Sequence, residues 1–87
     1  MSTIRKFTSE AWKRGEQFRA SEVANGLPPN QRLIETGQVV LAIGWRETHD
    51  NLCDLIEDAP TDRSVDLIIE AFAIGYKTAV KREKVTA

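Results

Sequence analysis

The chain has 87 residues, with 12 Lys+Arg, 13 Asp+Glu and one His, for a formal net charge of -1 at pH 7. A chain this short holds one domain around one core, and a charge near zero argues against a general polyanion binder. Cys53, the one cysteine, excludes an internal disulfide; the longest uncharged apolar run, Val39 to Trp45, falls far short of the roughly 18 residues a membrane span needs, and no signal-peptide h-region is visible. The expectation is a soluble cytoplasmic protein with no membrane partner.

Two breaks divide the chain, and its segments read as an all-α domain of three helices: an N-terminal helix followed by a long antiparallel helical hairpin. The first helix, about residues 8–24, places Phe7, Ala11, Gly15 and Phe18 on one side, with Ile4 in line if it starts earlier. Trp12 is turned about 100° from that stripe, either to cover a neighbouring helix or to meet a partner. The break that follows, Asn25-Gly26-Leu27-Pro28-Pro29-Asn30, offers Gly26 for the left-handed residue after a helix, Leu27 to fold back on the last turn, and prolines that stop continuation.

The second helix, about residues 30–58, has Ile34, Leu41, Trp45, Leu52, Leu55 and Ile56 along one face and Glu35, Arg46, Asp50 and Glu57 opposite. Within it Val39-Val40-Leu41-Ala42-Ile43 is apolar all round and flanked by Gly37 and Gly44, so a buried strand is the alternative there. At Asp58-Ala59-Pro60-Thr61-Asp62 the proline pushes Ala59 out of the α region, and Thr61, Asp62 or Ser64 can cap the next helix. Such a short connection implies antiparallel neighbours.

The third helix, about residues 62–84, carries Val65, Ile68, Ile69, Phe72, Tyr76, Ala79 and Val80 on its main face. Asp62 and Asp66 near its start, and Lys81, Arg82 and Lys84 near its end, suit the macrodipole. Leu67, Ala71, Ile74 and Thr78 form a second stripe, turned by more than about 120° from the first, which one small neighbour cannot also cover.

Leu41-Ala42-Ile43-Gly44-Trp45 is echoed by Phe72-Ala73-Ile74-Gly75-Tyr76. Gly44 and Gly75 lie at comparable distances from Pro60, so the hairpin would bring them level. Close backbone approach there would offset the cost of about 1 kcal/mol that each glycine carries inside a helix. Ala42, Ala71 and Ala73 would thin the same level, and Trp45 and Tyr76 would wall it. The plainer alternative is coincidence, with the glycines tolerated or marking kinks.

Little points to catalysis or to a cofactor. His49 and Cys53 are four apart, but no other His or Cys completes a structural metal set, and nothing resembles a nucleophile elbow, an oxyanion loop or a phosphate-binding glycine loop. Carboxylate pairs such as Asp50 with Asp54, or Asp54 with Asp58, read as solvated helical turns. A non-enzymatic protein with no metal is the expectation.

Both ends of the chain are basic and the middle is acidic, which suggests an electrically polar molecule. Three functional readings follow. The leading one is a protein-protein interaction module that associates with itself, burying Leu67, Ala71 and Ile74 together with Val39, Val40 and Ile43. The second is a small regulator or inhibitor, of the phage or plasmid type, docking the acidic tip of Asp54, Glu57, Asp58, Asp62 and Asp66 on a basic host protein. In the third, Arg5, Lys6, Lys13, Arg14 and Arg19, interleaved with Trp12 and Phe18, contact nucleic acid, although the acidic middle would repel phosphate.

Overall fold

The computed structural model describes the backbone of residues 3–86 and the side chains of residues 5–83. Ile4 and Lys84 therefore contribute no described side chain. The elements are α1 (Thr3–Ala24), α2 (Gln31–Thr36), α3 (Val39–Ile43), α4 (Trp45–Asp58) and α5 (Asp62–Thr86). All are helical, with no strand among the described residues, so residues 39–43 are helix. None of these helices is long and apolar enough to cross a membrane.

Local chemistry sets the ends. At the close of α1, Gly26 takes φ 69°; its N–H donates to the Val23 carbonyl at 3.0 Å, and the Leu27 N–H donates to that of Glu22 at 2.9 Å. This pair of bonds satisfies carbonyls that the helix leaves open. Asn30 Oδ1 accepts from the Leu33 N–H at 3.0 Å and starts α2. Thr61 Oγ1 accepts from the Ser64 N–H at 3.1 Å and starts α5.

The long second helix expected over residues 30–58 is instead three helices. Gly37 at φ 68° caps α2, and Gly44 at φ 85°, ψ 158° separates α3 from α4. Residues with a Cβ avoid the first conformation, and the second belongs almost wholly to glycine. Each break re-aims the apolar face: Leu33, Val39, Leu52 and Leu55 reach one core, while Leu41 and Trp45, expected on the buried face, remain 63% and 50% exposed.

The main pairing also differs from the expected hairpin. α4 and α5 are joined by residues 59–61 and do pack together, but the most extensive contact is between α1 and α5. These two run parallel: Trp12 lies against Gly75, Glu16 against Arg82, and Arg19 against Glu83. α4 runs back along α1, with Arg14 at Asn51 and Asp54, and Phe7 and Glu10 beside Leu55 and Asp58.

Glycine governs that parallel crossing, though not the glycines the sequence echo suggests. A methyl group on Gly15 would overlap the Phe72 carbonyl oxygen and approach Tyr76 N to 2.8 Å; one on Gly75 would overlap the Trp12 carbonyl oxygen and approach its carbon to 2.9 Å. A methyl on Gly44 would meet nothing within 4 Å. Gly75 thus meets α1 rather than Gly44, and Trp45 walls no contact at that level. Ala11 and Ala71, each one turn before its glycine, are buried in the same seam. Phe18 leans on Phe72 and Tyr76 with ring centroids 5.6 and 5.9 Å apart.

Helix propensity favours alanine over glycine by about 1 kcal/mol. Overpacking typically costs about 1–3 kcal/mol, and a main-chain carbonyl has little room to yield. Gly15→Ala and Gly75→Ala are therefore each expected to lower the thermal midpoint, by about 4–8 °C per kcal/mol of net loss in a domain of this size. Gly44→Ala meets no neighbour but places a Cβ in a conformation almost confined to glycine, at a cost of about 1–3 kcal/mol. Far-ultraviolet circular dichroism melts check this, and a Gly75→Ala midpoint at or above that of the parent refutes the backbone contact.

Candidate functional site

Of the five basic residues singled out on α1, two are engaged inside the fold. Arg14 forks onto Asp54 at 2.7 and 2.8 Å, donates to the Asn51 carbonyl at 3.0 Å and reaches Glu10 at 3.4 Å. A basic candidate is thus bound to an acidic one, tying α1 to α4. The Arg14 hydrogen bonds, and its charge after them, outweigh desolvation and bring the Asp54 carboxyl down to about 2. Arg5, Lys6 and Lys13 stay exposed, as do Glu57, Asp58, Asp62 and Asp66.

Arg19 is buried, at 5% exposure. It holds both Glu83 oxygens at 2.8 Å, Glu22 at 3.0 Å and the Leu27 carbonyl at 3.1 Å. Glu22 also accepts from the Tyr76 hydroxyl at 2.6 Å, and that hydroxyl in turn accepts from the Asn30 N–H at 2.7 Å. One polar cluster thus joins the end of α1, the start of α2 and the last turns of α5. The Glu83 hydrogen bonds, against burial, hold Arg19 above its ordinary range, and Glu83 is held below its own. Burial first, and the Glu22 carboxylate after it, push the Tyr76 phenol up to about 12. The Phe7-Ala11-Gly15-Phe18 stripe, continued by one turn, reaches Arg19 and Glu22, and that was the available sign that these charges face inward.

The self-association set divides. Val39 belongs to the core, Ile43 is half-buried against it, and Val40 is exposed beside Leu41 on α3. Leu67, Ala71 and Ile74 instead meet α1. Together with Trp12, and with Arg5, Lys13 and Glu70 at the rim, they line a groove of about 620 Å³. Its apolar surface is only partly covered: Ala71 is buried, Leu67 half-buried, Trp12 36% exposed and Ile74 41% exposed. A Glu16–Arg82 bridge of 2.7 Å lies where the groove meets the far turns of α5.

The remaining candidates stay dispersed. The Trp45 and His49 rings lie 5.7 Å apart and Cys53 is a half-buried free thiol. Among the described residues no group of three or more His, Cys, Asp or Glu is placed to hold a metal ion. No protein-family model matches the chain, and no curated protein or solved structure matches it either.

The chain has a single tyrosine, so tyrosinate absorbance reports on Tyr76 alone. With its pKa raised in the fold from 10.0 to about 12, its contribution to stability is intact below pH 10 and is lost as pH rises through 12. Absorbance titration is expected to show no tyrosinate near pH 10 while the protein stays folded, and a normal phenol titration there refutes the burial. Tyr76→Phe strands the Asn30 N–H and is expected to cost about 1–3 kcal/mol in urea unfolding.

Proposed function

We propose that this chain is a non-enzymatic protein-protein interaction module whose docking face is the groove between α1 and α5. One observation carries the reading: Trp12 and Ile74 stand partly exposed on facing helices, over an apolar floor of Leu67 and Ala71, with Arg5, Lys13 and Glu70 around them. A large aromatic beside a branched aliphatic, ringed by charge, is the composition of a protein-binding patch. Support also comes from the way polar groups are used elsewhere: no buried side-chain nitrogen or oxygen among the described residues lacks a hydrogen-bond partner, so the polar interior is engaged in holding the helices together. The engagement of Arg14 and Arg19 takes two of five cations from a nucleic-acid face, and that of Asp54 takes one carboxylate from the acidic tip.

A photo-crosslinking residue at Ile74 is expected to give a discrete protein adduct in the cell that makes the chain, and one at Glu57, on the acidic tip, to give none. Absence of an adduct at Ile74 overturns the reading. An adduct at Glu57 in its place moves the docking face to the acidic tip.

A further inference from the structure

We infer that the groove's occupant is a second copy of this chain, related by a twofold axis running along the groove, so that α1 of each copy lies over α5 of the other. The inference rests on the groove being the docking face, and adds its partner and its geometry.

The two walls differ in charge. On the α1 wall Arg5 and Lys13 are exposed; on the α5 wall Glu70 is exposed; none of the three makes an ion pair among the described residues. The Glu16–Arg82 bridge, by contrast, is satisfied within one chain. A face-to-face pair of identical copies has two simple choices of twofold axis. An axis across the groove sets α1 on α1 and α5 on α5, stacking Arg5 and Lys13 of one copy on the same residues of the other. An axis along the groove exchanges the walls, setting the basic wall of each copy over the acidic wall of the other, twice by symmetry. Opposed charge selects the second arrangement, since like charges juxtaposed at an interface are costly.

Register agrees. Because α1 and α5 are parallel, with Trp12 level with Gly75, rotation about an axis along them leaves each residue near its own height. Glu70 of the second copy then falls between Arg5 and Lys13, which are about 12 Å apart along the axis at 1.5 Å per residue. Both are within reach of long side chains. The same rotation brings the Trp12 and Ile74 pairs of the two copies together at the middle of the face.

The test is sedimentation equilibrium of the full chain over a range of concentrations. The parent chain is expected to be a dimer, and Ile74→Glu a monomer with an unaltered helical spectrum. Glu70→Lys alone, and Arg5→Glu with Lys13→Glu, are each expected to weaken the dimer by about tenfold or more. Combining all three substitutions is expected to restore it to within a few-fold of the parent, because the walls have then exchanged sign. These three positions are exposed, so the charge variants report on association even if Ile74→Glu fails to fold. A parent chain that stays monomeric at every concentration overturns the second copy as occupant, while an Ile74 crosslink to a different protein would leave the docking face standing. A dimer unmoved by Ile74→Glu, or a triple variant as weak as its parts, overturns the geometry.

Discussion

Where Gly15 faces Phe72 and Gly75 faces Trp12, two helices touch through main chain rather than side chains. A side-chain methyl at either position has no room, so this level sets the spacing of α1 and α5. Other features follow from that spacing. Phe18 can reach Phe72 and Tyr76 only if the helices lie close, Ala11 and Ala71 fill the level one turn earlier, and Arg19, one turn after Gly15, can bridge to Glu83 further along α5. On the outer side, helices this close leave a narrow trough, and the large side chains flanking it, Trp12 and Ile74, stand up rather than being swallowed.

The seam is fastened above by charge and alongside by a salt bridge of a different character. Arg19 is buried and makes four hydrogen bonds, to Glu83, Glu22 and the Leu27 carbonyl, so removing a partner leaves a buried charge short of its bonds, which is costly. The Arg14–Asp54 fork lies nearer solvent, its two side chains 24% and 59% exposed, and an ion pair there contributes no more than about 1 kcal/mol. The first fixes how α1, α2 and α5 meet, whereas the second steers α4 onto α1 with little energy of its own.

Much of the fold was legible in the sequence wherever the controlling chemistry is local. Gly26, Pro28, Pro60 and Thr61 end and start helices by backbone geometry and capping, and the inward faces of α1 and α5 follow from spacing. What misled were features whose meaning depends on distant residues. Periodicity carried one helix through Gly37 and Gly44 because an interrupted stripe and a continuous one look alike over short windows. The echo between residues 41–45 and 72–76 points to Gly44, but Gly75 meets the main chain of Trp12 on α1, and nothing local to the glycine names that neighbour. For the site, the stripe of Leu67, Ala71 and Ile74 was readable. Its union with Trp12, Arg5 and Lys13 required knowing that α1 covers it, and charge alone could not distinguish the buried Arg19 from the exposed Lys13.

Parallel pairing of α1 with α5 has a kinetic consequence. Their contacts join residues about sixty positions apart in the chain, so the tightest interface closes the largest loop and carries a high contact order. During synthesis α1 emerges with Ala11, Gly15 and Phe18 uncovered, and its proper cover, α5, arrives only after α2, α3 and α4 have left the ribosome. The nascent chain therefore passes through a stage in which α4 can dock on α1 but the central seam stays open until α5 follows.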